Sequence, residues 1–155
     1  MGFRISGLPV SDFAPLFGLD EAALAERGVE RVRIDTAHAA PCRVTLEDAA
    51  PGETVLLLNF EHQPADTPYR SRHAIFVREQ AGRAFDAADV VPDALRRRLL
   101  SVRAFDVRHH MVDADVVEGT ELERVMTPML ARGDVAYLHL HYARRGCFAA
   151  RAERV

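Results

Sequence analysis

Short alternations of apolar and polar residues run through most of this chain, and a helical period is sustained in only one stretch. Phe3 to Ser6 predicts an opening strand. It is followed by a short helical turn capped by Asp12, with Pro15 near its start. Asp20 is placed to cap a helix that runs from Glu21 to Arg27 and stops at Gly28. Beyond it, alternation predicts strands at Val29 to Asp35, Cys42 to Leu46, Glu53 to Glu61 and Ala74 to Glu79. The polar segment from His62 to His73 between the last two is long for a hairpin turn, which makes it a candidate binding loop.

A short helix near Pro92 to Arg98 precedes predicted strands at Leu99 to Asp106 and Met111 to Val117. The sustained helical stripe comes next: Leu122, Val125, Met126, Met129 and Leu130 follow the i, i+3, i+4, i+7, i+8 pattern. Thr120 and Glu123 are spaced as a capping box, Pro128 predicts a kink, and Gly133 predicts the stop. Strands at Val135 to Tyr142 and Cys147 to about Arg151 close the chain around an Arg144-Arg145-Gly146 turn. Because the strands succeed one another without regular helical crossovers, the expected class is α+β. That is a mainly antiparallel β-sheet with a few helices packed on one face, in one domain over residues 1–155.

Composition narrows the functions. A chain of 155 residues is long enough to build a core without staples. All 20 basic residues are arginine, which rules out Schiff-base lysine chemistry and favours forked contacts to carboxylate or phosphate. A net charge of −3 argues against a nucleic-acid partner. Apolar runs such as Val55 to Leu58 are too short to span a membrane, and the N-terminus lacks a charged-then-apolar leader. The expectation is a cytoplasmic protein, with homo-oligomerisation left open. Cys42 and Cys147 form no C-x-x-C unit, so neither a disulfide framework nor a zinc knuckle is indicated.

Candidate chemistry lies on the polar strand faces. Tyr137, His139 and His141 share one face of their strand, Asp113 and Asp115 one face of theirs, Asn59 and Glu61 another, and Ser101 with Arg103 a fourth. If these faces line one side of a sheet, His139 and His141 with Asp113, Asp115 or Glu61 would suit a divalent transition metal. The alternative is a solvated face whose charges pair across strands. Arg70, Arg72, Arg78, Arg103, Arg144 and Arg145 are candidates for an anion site. Cys147, after Arg144-Arg145-Gly146 and near His141, is a candidate nucleophile; the alternative is a buried thiol. A Glu61/His62 acid-base pair would need a bend, because adjacent strand residues face opposite ways.

Several separated segments together carry a resemblance: Phe3 to Pro9, Pro41-Cys42-Arg43-Val44, Val55 to Pro64, Pro68-Tyr69-Arg70, Ile75 to Glu79 and His139 to Phe148. In their order along the chain they resemble a bacterial family of small proteins defined as domain of unknown function 1203. The resemblance implies no reaction and transfers no catalytic residue. It implies Asn at the position that Tyr142 occupies, a departure that alters any hydrogen bond made from that turn.

The leading functional reading is a protein that binds a small, anionic metabolite between the long loop and the last hairpin. Asn59, Glu61, His62, Tyr69, Arg70, His139, His141 and Arg144 would line the site. Glu61, His62, His141 and Cys147 are the candidate catalytic residues. The competing readings are a metal-dependent enzyme built on His139 and His141, and a non-catalytic interaction or dimerisation module.

Overall fold

The computed structural model describes residues 2–155. Strands β1 (Phe3–Ser6), β2 (Glu30–Arg33), β3 (Thr54–Gln63), β4 (Ser71–Arg78), β5 (Asp86–Ala88), β6 (Leu99–Phe105), β7 (Met111–Glu118), β8 (Tyr137–Tyr142) and β9 (Cys147–Arg154) alternate with short helices. These are α1 (Glu21–Glu26), α2 (Asp93–Arg96) and α3 (Leu122–Ala131). The strands build two sheets rather than one. Six form a sheet in the order β5-β1-β9-β8-β6-β7, and three form a smaller sheet in the order β2-β3-β4. Every strand-to-strand pairing is antiparallel, so the fold class is α+β as expected from the absence of crossovers.

The large sheet buries its two faces differently. Leu138 and Leu140 of β8 stand opposite Ala104 and Val102 of β6 and Ala152 and Ala150 of β9, so all of these share one face. The apolar stripe of α3, Leu122, Val125, Met126, Met129 and Leu130, closes over that face and forms the main core with it. The other face carries Tyr137, His139 and His141, and the end of β3 lies across it. A second core fills the smaller sheet, where Leu56, Leu58, Ile75 and Val77 meet Phe13, Leu24 and Val44.

Local chemistry explains most boundaries. Asp20 caps α1 by accepting the Ala23 amide at 2.8 Å, and Gly28 follows with φ of +68°. Elsewhere tertiary contacts overrode the local pattern. The proposed capping box is not formed: Thr120 sits in a 3-10 turn, the residue before α3 is Glu121, and Glu123 is drawn to Arg96. Asp12 ends a 3-10 turn and does not cap a helix. Cys42 to Leu46 is a turn, tied by isolated bridges from Pro41 to Asp48 and from Cys42 to Phe76. The long loop is shorter than expected, because β3 continues to Gln63 and β4 begins at Ser71 across a bulge. β5 had no sequence signal, and β9 runs on to Arg154. No helix among the described residues is long and apolar enough to cross a membrane.

Candidate functional site

The register of β6 with β8 places Ser101 opposite His141, Arg103 opposite His139 and Phe105 opposite Tyr137, all on the histidine face. His62, near the end of β3, completes a cluster there. Its ring centroid lies 5.0 Å from His141 and 6.2 Å from His139, and it stacks on Phe148 at 5.5 Å. Burial pushes His139 down to about 2, His141 to about 3 and His62 to about 4, with the Arg103 charge lowering all three further. The cluster is therefore neutral at physiological pH. Nδ1 of His141 lies 2.9 Å from the carbonyl of Gly146 and donates to it, whereas the buried Nδ1 atoms of His62 and His139 have no partner among the described residues. His62 and His139 also line a cavity of about 300 Å³ with Gln63, His109, Tyr137 and Arg151.

The carboxylates expected beside these imidazoles are elsewhere. Asp113 stands opposite Ala104 and Asp115 opposite Val102, on the face that packs against α3. A one-strand alternation cannot say which face of the next strand it joins, and here the register puts the aspartates on the wrong side for His139 and His141. Asp113 is bound by Arg132 at 2.5 Å. Glu61 is held by Arg70 at 2.9 Å, which keeps its carboxyl below the usual range. Among the described residues, no group of three or more His, Cys, Asp or Glu side chains is placed to hold a metal ion.

A second cavity, of about 500 Å³, opens beside the last hairpin. Arg43, Arg97, Arg98, Arg144 and Arg145 line it with Tyr142 and Cys147, against one carboxylate, Glu118. Arg43 is the unusual member. Only 2 % of it is exposed, yet among the described residues no carboxylate pairs with it. Its Nε donates to the Phe148 carbonyl at 2.7 Å, one Nη to the Pro41 carbonyl at 2.5 Å, and the other to Cys147 Sγ at 2.9 Å. Burial lowers its pKa, although a guanidinium stays charged at neutral pH. Tyr142 stacks beneath two cations, 4.9 Å from Arg43 and 5.1 Å from Arg98. Burial pushes its phenol up to about 12, and its hydroxyl has no hydrogen-bond partner among the described residues. Arg98 is satisfied by Asp48 at 2.6 Å, while no ion pair involves Arg97, Arg144 or Arg145 among the described residues.

The residues expected to share one pocket thus fall into three places. Asn59, Glu61, Tyr69 and Arg70 lie on the outer hairpin. There Asn59 accepts from Arg72 at 2.6 Å and Glu61 pairs with Arg70, while Tyr69 packs edge-on to Phe105. His62, His139 and His141 form the imidazole cluster. Arg144 and Cys147 line the arginine cavity, and the neighbour of the sulfur is Arg43, because His141 points to the opposite face with Phe148. Sequence reasoning missed Arg43 as a site residue. Its one signal was a cation inside the apolar run Ala39-Ala40-Pro41-Cys42-Arg43-Val44.

A search of curated proteins and a search of solved structures each returned no match. The family comparison matched residues 39–154, which takes in β3 to β9, Arg43 and the lining of both cavities apart from His38, but leaves out the opening Phe3 to Pro9 segment. Over that span the chain belongs to the family described as protein of unknown function DUF1203.

Proposed function

We propose that this protein binds a small anionic metabolite, a carboxylate or a phosphate, in the arginine-lined cavity beside the last hairpin. The observation that carries the reading is Arg43, a buried guanidinium that faces a cavity and has no carboxylate partner. A buried charge is normally paired, because leaving it uncompensated costs several kcal/mol. Here the compensating anion is the ligand. Arg144, Arg145 and Arg97 at the rim supply further forked donors and attract an anion towards the mouth. The site keeps Arg144 among the residues expected from the sequence and replaces the remaining lining. We also read the chain as one domain acting in the cytoplasm, in keeping with two buried, unpaired cysteines.

Calorimetric titration with inorganic phosphate, sulfate and a dicarboxylate tests this at constant ionic strength, with chloride as the control. Saturating ligand at 100 times its Kd should also stabilise the fold by about 2.7 kcal/mol, read as a rise in Tm. Arg144→Ala/Arg145→Ala should weaken binding without unfolding the protein, since both side chains are exposed. Equal heats for the variant and the parent, or no binding by either, would remove the proposal. A second reading, association between chains, is favoured by the outer strand β7, which exposes Val112, Ala114 and Val116 along an unpaired edge. Sedimentation over a concentration series decides it.

A further inference from the structure

We infer that Cys147 is the reactive atom of the arginine-lined cavity and attacks an electrophilic carbon carried by the anion bound there. The inference rests on the anion-binding reading above. Three independent features meet at this sulfur. It lines the cavity although the residue is only 6 % exposed, so its approach runs through the cavity. It accepts an N–H from Arg43, whose other contacts, to the carbonyls of Pro41 and Phe148, fix the guanidinium in place. That cation offsets the negative charge a sulfur carries while it attacks. Tyr142, opposite Cys147 in the strand register and 5 % exposed, lines the same cavity, and its buried hydroxyl has no hydrogen-bond partner among the described residues. A buried hydroxyl left unpaired is costly, so a ligand oxygen that reached it from the cavity would be bound by its O–H.

Cys42 provides the contrast. It is fully buried outside the cavity, and its sulfur accepts the backbone amides of Thr45 at 3.5 Å and Arg78 at 3.3 Å. Its surroundings are those of a structural thiol.

The chemistry balances without an oxidant. Cys147 gives its proton to solvent at the cavity mouth, a sulfur–carbon bond forms, and the bond from that carbon to its leaving group breaks with the electron pair departing on the leaving group. The substrate class is a small carboxylate or phosphate with a leaving group on a nearby carbon. Arg43, Arg144 and Arg145 hold the anionic end and bring the carbon to Sγ.

Iodoacetate and iodoacetamide differ only in whether the electrophile carries a carboxylate, and they test this on the whole native protein. Labelling at Cys147 and Cys42 is followed separately by mass spectrometry. We expect iodoacetate to label Cys147 about 10-fold faster than iodoacetamide, the reverse of their order with free thiols, as a positively charged cleft concentrates anions. Cys42 should stay unlabelled until urea unfolds the chain. Inorganic phosphate, occupying the cavity, should slow both reagents and iodoacetate the more, while Arg144→Ala/Arg145→Ala should slow iodoacetate and leave iodoacetamide unaffected. If Cys147 reacts with neither reagent in the native protein while calorimetry detects phosphate, the nucleophile is refuted and the anion site stands. If iodoacetamide is the faster reagent and phosphate gives no protection, the proposal is also overturned. If calorimetry detects no anion either, the anion site falls with it.

Discussion

Lowering the pH from 7 to 5 should remove a large part of this protein's stability, and the histidine face gives the size of the effect. His139 is 4 % exposed and His141 1 %, and burial is the main cause that holds them at about 2 and about 3. In the unfolded chain each returns to about 6.5. Below that value the unfolded state binds protons that the folded state refuses, so stability is complete above about pH 6.5 and is lost as pH falls towards the folded values. Between pH 7 and 5 each ring costs about 2 kcal/mol, hence about 4 kcal/mol for the pair, against the 5–15 kcal/mol typical of a whole domain. Carboxylates do not confuse this window. Glu79, held to about 2 chiefly by Arg31, loses its contribution only as pH falls below the normal carboxylate range. Urea unfolding followed by circular dichroism at pH 7, 6 and 5 measures the slope, and His139→Gln/His141→Gln should flatten it. A parent protein whose stability changes by less than about 1 kcal/mol between pH 7 and 5 would refute the reasoning.

Two further outcomes follow from the packing. At Gly119, between β7 and α3, an added Cβ would lie 1.9 Å from the carbonyl oxygen of Leu95 and 2.8 Å from the Arg96 Cα, both backbone atoms. Gly119→Ala should therefore cost about 3 kcal/mol or more, seen as a lower Tm, and a neutral substitution would show that α2 is not seated against this turn. Tyr142→Phe removes a buried hydroxyl that has no partner in the protein and should stabilise the ligand-free fold by up to about 1 kcal/mol. The same variant should weaken anion binding, and a loss of stability in the free protein would show that the hydroxyl is already satisfied.

Elements with strong local chemistry are legible in the amino-acid sequence alone. The Asp20 cap and Gly28 bracket α1, the apolar stripe marks α3, and alternation locates β6, β7 and β8 closely. The errors lie where a distant contact outbid a local preference. Glu123 had the spacing to cap α3, but Arg96 of α2 binds its carboxylate, and an ion pair with a long-range partner leaves the helix end to a 3-10 turn. Cys42 to Leu46 reads as a strand from its side chains, yet Leu46 has a φ of +53° and the segment turns under β4. The candidate site was assembled from the right faces and the wrong neighbours. His139 and His141 do share a face, and His62, expected in the same site, lies beside them from a strand of the other sheet, but Asp113 and Asp115 are on the opposite face.

By itself the sequence determined the class of fold, because strands joined by short polar connections can pair only antiparallel, and because side-chain period sets which residues share a face of one strand. It also determined that any anion would be met by arginine, since the chain has no lysine. Only the tertiary structure decided which faces meet. Register between neighbouring strands placed Asp113 and Asp115 away from the histidines, and the packing of the small sheet against the large one buried Arg43 beside Cys147 and Tyr142. Residues 43 and 147 are joined by a contact across most of the chain, and no local rule of spacing encodes a contact that exists only once two separate sheets have packed together.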